Sequence, residues 1–579
     1  MIPKFGVVAS ALLFASLAAA QTQAQPENQS AQPENQNAPS ETRNAQQELE
    51  KRLCSIDGIV VSRLTQVPVR NALVSLRFGG DSGPVSYSAT TNAAGAFTLT
   101  RIIPGRYILS AEQESYVREN YGAHRPTGPG ATLVLKDSSK MSDVVLSLTP
   151  RGIISGKVTD GDGDPVSGVL VHALRYKYLA GQRRLISTGV IAPTNDLGQY
   201  RLANLEPGQY YVVTTSQRVI GAPPPEASGD ETAVTQGYAM EYYPNSPNAS
   251  GAAPLIVTPG SEIAGIDMPL RRTSVYRIKG KVLGAVKGDP MPGVDLMVYP
   301  WDTGGMSTVP MRIQPAQGAE ARFTCTNIPP GNYTIVAISP NTAEPLVSVT
   351  PVTLIDRDVE EVVISLGGGP DIPVTVKFDP ASGGTPKDLS GVLVQLRLQE
   401  NPVVTSHAAQ FSKQNTAVLK AVSPEKYTLL VSGLPEGVYL KGATFGDQNV
   451  LEAGLDARKA GDRTIELTLA RDSAELAAVV RNEKGDPSPG AILTLVPARS
   501  QRTDLFRLVT ADQQGVVTLK GIVPGEYKIF VWDDVDADAA QDDEFRKPFE
   551  SKATTVEFPA GSRKTSELTV ISPTAAAGQ

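Results

Sequence analysis

The sequence predicts an all-β protein, built as a tandem array of about five small Greek-key β-sandwich modules after a signal peptide and a disordered spacer. A phrase of Gly, alternating apolar residues, Pro and Tyr recurs, with its prolines at positions 104, 207, 330, 424 and 524. The interval of about 100 residues is the size of one small sandwich domain. Each interval holds about seven short strand-like runs, and 52 Gly and 45 Pro supply the turns between them.

The repeated phrase is interpreted as strand, turn, strand with one buried face. Its first Gly suits a turn that needs positive φ, and Asn415 is the best substitute there in the fourth copy. Apolar residues two and four positions later alternate as in a half-buried strand. Pro-Gly is expected to fill the centre of a type II turn, with Glu425 replacing Gly once. Tyrosines such as Tyr107 and Tyr210 recur with the turn, so we interpret them as structural.

The repeats predict five modules, which keep these names below. They are module 1 (52–150), module 2 (151–273), module 3 (274–368), module 4 (369–471) and module 5 (472–573). Module 4 is degenerate, because its copy of the phrase is eroded. Short linkers between modules are expected to give an extended rod that presents edges, loops and clefts.

The N-terminus has the pattern of a secretory signal peptide over residues 1–20. Lys4 supplies positive charge, residues 5–17 are apolar, and Ala18 to Ala20 offer a small-residue cleavage site. An uncleaved anchor is the alternative. Residues 21–51 are rich in Gln, Asn and Pro and are interpreted as a disordered spacer. We therefore expect an extracytoplasmic protein, located in the periplasm, on the outer surface or secreted.

The net charge argues against a nucleic-acid partner, and the hydropathy argues against a membrane-spanning helix. The net charge of -7 and a pI near 5.4 argue against nucleic acid, which requires a clustered basic surface. No run after the signal approaches the roughly 20 apolar residues of a membrane helix, so no transmembrane segment is predicted.

Four segments of module 2 together resemble the carboxypeptidase regulatory-like domain. They are Gly156-Lys-Val158, Pro165-Val-Ser-Gly168-Val, Asp196-Leu-Gly198-Gln-Tyr200 and Leu205-Glu-Pro207-Gly208-Gln-Tyr210. The resemblance covers nearly all of residues 52–571 and is strongest in modules 1, 2 and 5. It implies a transthyretin-like sandwich, related to carbohydrate-binding-like sandwiches and to the B repeats of collagen-binding adhesins. Long exported arrays of this kind are typical of Acidobacteria, and the module is not itself catalytic.

The residues themselves give no catalytic constellation, so no enzyme and no catalytic residue is predicted. A zinc hydrolase needs several converging ligands, but His124, His172 and His407 lie in three different modules. The stretch Gly80-Asp-Ser-Gly-Pro84 resembles the nucleophile segment of trypsin-like proteases, yet a hairpin turn explains the same residues. A phosphate-binding loop is missing from the sequence, so nucleotide chemistry is not indicated.

No metal or cofactor is predicted, although two acidic runs leave calcium open as an alternative to solvated turns. They are Asp160, Asp162 and Asp164, and Asp534, Asp536 and Asp538. Neither run has the Gly and Glu spacing of the helical calcium loop. Cys54 and Cys325 fall in different modules and are interpreted as two separate reduced thiols rather than a disulfide.

Aromatic residues outside the repeated phrase are the candidate ligand contacts, because ring faces match the apolar faces of sugars. The candidates are Tyr242, Tyr243, Trp301 and Trp532. The leading hypothesis is an exported, non-catalytic binding or scaffold protein of the cell envelope, for which the resemblance implies carbohydrate as ligand. The partner would then be a polysaccharide or an envelope protein. Alternatives are a purely structural or protein-binding adhesion array, which internal isopeptide bonds would favour, and an accessory to a hydrolase.

Overall fold

The structure is a computed structural model, and its description covers fifteen stretches of the chain. These are residues 50–78, 85–179, 182–216, 219–220, 236–284, 294–300, 303–304, 309–313, 320–339, 346–366, 369–382, 388–399, 405–413, 415–498 and 502–571. The predicted signal peptide, all of the predicted spacer before residue 50, Trp301 and residues 80–84 lie outside them. The chain divides into units Met1–Lys51 and Arg52–Gln579, and all that follows concerns the second.

The regular structure is almost entirely β, and module 3 shows the arrangement most simply. Its seven principal strands, numbered 1 to 7, are Tyr276–Leu283, Val294–Pro300, Val309–Ile313, Glu320–Ile328, Gly331–Ser339, Leu346–Leu354 and Val359–Ser365, with the short strand Thr303–Gly304 between the second and third. One sheet has the order 4-1-7 and the other 3-2-5-6. The chain therefore crosses between the sheets after strands 1, 3, 4 and 6, which confirms the predicted β-sandwich.

The other four modules repeat this order with additional elements, and in module 4 the strand Tyr439–Phe445 also pairs with the last strand and widens the first sheet. Module 1 has strands Cys54–Ser62, Leu73–Phe78, Val85–Thr90, Ala96–Ile102, Gly105–Glu112, Tyr116–Val117, Glu119–Asn120, Leu133–Leu135 and Lys140–Pro150. Module 2 has strands Gly152–Thr159, Leu170–Leu179, Gln182–Pro193, Gln199–Leu205, Gly208–Thr215, Val219–Ile220, Gln236–Tyr238, Glu241–Tyr242, Leu255–Val257, Glu262–Ile263, Met268–Pro269 and Arg272–Ser274, and a 3-10 turn at Ala249–Gly251.

Modules 4 and 5 also contain short helices. Module 4 has strands Ile372–Phe378, Leu393–Leu398, Thr405–Gln410, Ala417–Leu419, Lys426–Ser432, Tyr439–Phe445, Gln448–Asn449, Leu455–Asp456 and Ile465–Ala470, a helix at Val450–Ala453, and 3-10 turns at Pro380–Ser382 and Ala457–Lys459. Module 5 has strands Ala474–Arg481, Ile492–Pro497, Arg507–Thr510, Val516–Ile522, Gly525–Trp532, Thr554–Phe558 and Arg563–Thr569, helices at Ala537–Ala540 and Asp543–Arg546, and 3-10 turns at Thr503–Leu505 and Lys547–Lys552. No helix in the described stretches is long and apolar enough to cross a membrane.

Each module encloses its own hydrophobic core between its two sheets, and its first strand pairs with the fourth strand and with a strand near the end of the module. In module 1, Cys54–Ser62 runs antiparallel to Ala96–Ile102 and parallel to Lys140–Pro150. The apolar positions of these strands alternate and face inward, as Ile56, Leu99 and Leu146 do. Modules 2 to 5 have equivalent cores of buried Val, Leu, Ile and aromatic residues.

The tyrosine of the repeated phrase holds the corner where the chain passes from strand 4 in one sheet to strand 5 in the other. In every module its hydroxyl donates to the carbonyl oxygen of the residue just before the proline. The five bonds are Tyr107 to Ile103 (2.8 Å), Tyr210 to Glu206 (2.7 Å), Tyr333 to Pro329 (2.8 Å), Tyr427 to Ser423 (3.0 Å) and Tyr527 to Val523 (2.8 Å). This confirms that these tyrosines are structural.

The type II turn predicted for Pro-Gly is wrong. Gly208 and Gly525 have φ of 148° and 155°, far from the value near +80° that this turn requires, and each glycine is the first residue of strand 5. The glycine instead leaves room for the ring two residues on: a Cβ on Gly331 would lie 3.3 Å from Tyr333. Gly105 and Gly331 do not have a positive φ, so the position does not require glycine in every module, and Glu425 occupies it in module 4.

A residue with positive φ does occur near each corner, but it lies three positions before the proline. This position was not singled out from the sequence. It is occupied by Arg101 (58°), Asn204 (62°), Asn327 (64°), Ala421 (47°) and Gly521 (72°). In module 1 the residues around it form a β-bulge, since Cys54 faces Ile102 whereas Ile56 faces Leu99. Modules 2, 3 and 5 show the same register shift. A bulge bends strand 4 and increases its twist, which directs the chain into the corner.

The first glycine of the phrase behaves as predicted. Gly95, Gly198 and Gly515 have φ between 70° and 74°, and Asn415 has φ of 59°. A Cβ on Gly95 would lie 2.5 Å from the carbonyl oxygen of Val60, so both the backbone angle and the space require glycine.

The predicted extended rod is wrong, because modules 1 and 5 touch. Thr132 of module 1 forms a parallel bridge with Asp512 of module 5. The side-chain amide of Gln513 donates to the carbonyl oxygen of Val134 at 3.1 Å. The first and last modules of the array are therefore neighbours.

We predict that Tyr427→Phe lowers the free energy of unfolding of module 4 by about 1–3 kcal/mol, because the buried Ser423 carbonyl loses its donor. Hydrogen exchange of module 4 peptides in increasing urea measures this change. Tyr276→Phe is the control, since that ring packs on the core of module 3 from a half-buried position. Equal losses in both variants would contradict the role given to the corner bond.

Candidate functional site

Trp532, predicted as a ligand contact, lies in a secondary core on the outer side of module 5. Its side chain is fully buried, stacks on Phe530 with ring centroids 5.6 Å apart, and meets the edge of Phe549 at 5.2 Å. Its indole N–H donates to Oγ1 of Thr494 at 3.0 Å. Because neither ring face nor the N–H reaches solvent, the ligand-contact prediction for Trp532 is wrong, and the ring stabilises the module instead.

The two tyrosines predicted as ligand contacts have different environments. Tyr242 is fully buried in a small apolar cluster with Leu174 and Val213, so its ring is not available to a sugar and that prediction is also wrong. Tyr243 is half-buried and packs against the core of module 2. Trp301 lies outside the described residues. The structure therefore does not gather the three described residues into one binding surface.

Two of the three carboxylates in the first acidic run pair with an arginine of module 2. One oxygen of Asp160 accepts from the backbone N–H groups of Asp162 and Asp164, both at 3.0 Å, which shapes the turn. Arg272 donates to the other oxygen of Asp160 at 2.9 Å and to Asp162 at 2.7 Å. The bond from Arg272 lowers the pKa of Asp160, so the turn is a stable ion-paired unit.

The second acidic run also faces an arginine, but one from another module. Asp534 lies 2.8 Å from the guanidinium of Arg125 in module 1, and Asp536 lies 3.2 Å from it. Partial burial raises the pKa of Asp534, against the opposing effect of Arg125. Within the described stretches, no group of three or more His, Cys, Asp or Glu side chains is arranged to hold a metal ion.

The three histidines lie in three separate places in the structure. His172 is buried beside Oγ1 of Thr215 at 2.8 Å, and burial lowers its pKa to about 4. His407 is buried beside the ring of Tyr427 in module 4, and burial lowers its pKa to about 4 as well. His124 lies at the contact between modules 1 and 5.

The two cysteines are free and buried, as predicted. Burial raises the pKa of Cys325 to about 11, so its thiol stays protonated at neutral pH and unreactive. The segment Gly80 to Pro84 lies outside the described residues. The strands on either side of it, Leu73–Phe78 and Val85–Thr90, pair antiparallel as a hairpin would require.

Polar contacts join each module to the next. At the junction of modules 4 and 5, Arg502 is buried and donates to the carbonyl oxygens of Leu440 at 3.0 Å and Lys441 at 3.2 Å. Asp504 pairs with the same guanidinium at 2.6 Å and balances its charge. A buried guanidinium that bonds both modules fixes their relative position.

The remaining consecutive junctions use different groups for the same purpose. Arg151 donates to the carbonyl oxygens of Tyr116 in module 1 and Asn204 in module 2. Strand Gln182–Pro193 of module 2 pairs with Thr303–Gly304 of module 3, which extends one sheet across the junction. Ser423 of module 4 donates to the carbonyl oxygen of Val347 in module 3 at 2.9 Å.

Comparisons with known proteins give solved structures of low identity and low TM-score, which show no family for this chain. No family model and no curated protein matches it. Solved structures similar to it include the Bacillus anthracis TIE protein, with 12% identity, 72% of this chain and 74% of that chain covered, and a TM-score of 0.15. GBS52, the minor pilin of Streptococcus agalactiae, has 12% identity, coverage of 38% and 96%, and a TM-score of 0.22. Two B repeats of the Staphylococcus aureus collagen-binding protein have 10% identity, coverage of 72% and 99%, and a TM-score of 0.14.

We predict that Trp532 reports burial and not ligand binding. The chain has two tryptophans, so Trp301→Phe leaves Trp532 as the only one. Its emission should be blue-shifted, resist quenching by iodide, and stay unchanged when soluble polysaccharides are added. Quenching by iodide, or a shift caused by one polysaccharide, would show that the ring is reachable.

We predict that acid weakens modules 2 and 4 before modules 3 and 5, whose predicted boundaries contain no His. The buried His172 and His407 titrate near pH 4, whereas an unfolded His titrates near 6.5. The unfolded state therefore binds more protons between these values, and stability is lost as pH falls from 6.5 towards 4. Pulse proteolysis in urea at pH 7 and pH 5, with fragments assigned by mass, measures each module. Equal losses in all four modules would contradict this assignment.

Proposed function

We propose that this chain is an exported, non-catalytic scaffold of the cell envelope, an array of carboxypeptidase regulatory-like sandwiches that binds protein partners through its exposed loops and edges. The observation that carries the proposal is the bonding at the module junctions, above all the buried Arg502 between modules 4 and 5. Modules that are bonded to their neighbours hold their loops at fixed separations. Fixed spacing of several surfaces is what a scaffold needs and what a flexible string of domains lacks.

The glycan-binding alternative has lost much of its support. Two of its four aromatic candidates, Tyr242 and Trp532, are fully buried. A sugar site needs exposed ring faces together with convergent polar groups. The scaffold proposal requires neither.

Noncovalent contacts are sufficient to hold the modules in this proposal. An isopeptide bond needs an uncharged lysine amine as nucleophile, which burial can supply by lowering the lysine pKa. Among the described residues no lysine is buried. Lys279, for example, is partly exposed, and its bond to Glu360 at 2.9 Å raises its pKa, so its ammonium stays charged.

The junction is tested by trypsin at Arg471, an exposed residue in the linker between modules 4 and 5. The next residue, Asp472, accepts from the hydroxyl of Tyr439 at 2.8 Å and from the backbone N–H of Gly561 at 2.7 Å. We expect slow cleavage in the native chain and at least about tenfold faster cleavage in Arg502→Met, because two interdomain bonds are lost. Arg458→Met is the control, since Arg458 is exposed and pairs with Asp456 beside it.

The partner class is tested by affinity electrophoresis of the chain from residue 21 against soluble polysaccharides and peptidoglycan, with and without Ca²⁺. The proposal expects no retardation, no turnover of either polymer, and recovery of the protein outside the cytoplasm on fractionation. Retardation by one polymer would replace the scaffold proposal with glycan binding. Recovery from the cytoplasm would remove both.

A further inference from the structure

Modules 1, 2, 4 and 5 all carry a long connection after strand 5, before the strand that corresponds to strand 6 of module 3. The connection covers residues 113–132 in module 1 and 533–553 in module 5, compared with 340–345 in module 3. These two extended connections meet each other across the array. The residues that join them are more than 350 positions apart in the sequence.

An arginine of module 1 makes the central contact. Arg125 pairs with Asp534 at 2.8 Å and with Asp536 at 3.2 Å, and it donates to the carbonyl oxygen of Val535 at 2.7 Å. Its side chain is 27% exposed and that of Asp534 is 34% exposed. The pairs are therefore partly shielded from water but remain within reach of dissolved salt.

A second group of contacts flanks the arginine. A ring nitrogen of His124 lies 2.9 Å from the carbonyl oxygen of Pro489. The backbone N–H of Gln513 donates to the carbonyl oxygen of Thr132 at 3.3 Å, and its side-chain amide donates to that of Val134 at 3.1 Å. These bonds fix the register of the two surfaces, because backbone groups cannot shift without losing them.

Close packing at one glycine shows how tightly the surfaces fit. A Cβ on Gly490 of module 5 would lie 2.4 Å from the carbonyl oxygen of Gly122 in module 1. Gly168 is its counterpart in module 2, with φ of 74° compared with 76°, and a Cβ there would meet nothing within 4 Å. The two glycines thus have nearly the same positive φ, but only Gly490 lies against a residue of another module.

We propose that this contact is an ionic latch, which holds the first and last modules together at low ionic strength and releases them reversibly as salt screens the pairs of Arg125. The latch controls whether residues 121–132 and 533–536 face each other or the solvent. The described contacts between the two modules are the ion pairs and their flanking hydrogen bonds, so these decide the equilibrium. Release also requires one consecutive junction to bend, and we expect this at the junction of modules 3 and 4, where Ser423 donates to Val347. The latch therefore sets the geometry of the array at a given ionic strength and does not depend on any ligand.

The test uses the full chain with fluorophores on Ala93→Cys and Ala560→Cys, two exposed positions in modules 1 and 5 away from the contact. Native Cys54 and Cys325 are buried and do not compete for label. Single-molecule energy transfer between the dyes reports the separation of the modules. We expect one high-transfer population in low salt and a low-transfer population that grows as NaCl rises towards about 1 M, reversibly on dilution.

Substitutions separate the latch from general instability. Arg125→Glu and Gly490→Ala should each raise the ratio of open to closed molecules roughly tenfold in low salt, while Gly168→Ala leaves it unchanged. Circular dichroism and melting of each variant verify that the modules remain folded. Transfer that is insensitive to salt, or equal effects of Gly490→Ala and Gly168→Ala, would overturn the proposal. So would open molecules in the native chain at low salt.

Discussion

The hydrogen bond from a tyrosine hydroxyl to the carbonyl before the proline is the interaction on which each module depends. The bond lies at the corner where strand 4 of one sheet passes directly into strand 5 of the other. In module 1, strand 4 ends at Ile102 and strand 5 begins at Gly105. A chain that turns this corner buries backbone groups that neither sheet can satisfy, and the tyrosine supplies a donor from its own following strand. Burial raises the pKa of Tyr107 and of Tyr527 to about 12, so the donor keeps its proton at all physiological pH values.

Much of the module could be predicted from sequence because its determinants are local and repeated. The spacing from glycine to proline to tyrosine reveals the corner, and alternation around it reveals the buried faces. The positive φ three residues before the proline escaped notice because five different residues occupy it, from Gly521 to Arg101. Asn204 and Asn327, which tolerate that conformation, were the available signal.

The candidate site was less predictable. Its residues lie outside the repeated phrase, so no recurring pattern in the sequence indicates whether they are buried or exposed. Trp532 looked like a surface platform, yet its neighbours Phe530 and Phe549 enclose it in a second core. The contact between modules 1 and 5 was equally hidden. It joins His124 and Arg125 to a segment near the other end of the chain, and no local pattern marks such a pairing. The acidic runs show the same limit, since their arginine partners are distant in sequence.

Arginine side chains join several of the modules. Arg502 and Arg151 each bond groups of two modules, and Arg125 of module 1 bonds groups of module 5. Arg272 pairs with the acidic turn of module 2. Guanidinium groups suit this role because their fixed fork of donors satisfies several carbonyl and carboxylate oxygens at once. The five sandwiches are thus similar in their cores and individual in their junctions.

The central claim is that five modules, including the eroded module 4, are complete sandwiches closed by the same corner. Native-state hydrogen exchange of the full chain, resolved by mass spectrometry, tests it most directly. The account predicts slow exchange in all five segments that begin at Gly105, Gly208, Gly331, Lys426 and Gly525, where strand 5 follows the corner. Rapid exchange of the segment from Lys426 beside slow exchange of the other four would contradict it, because module 4 would then lack the fold.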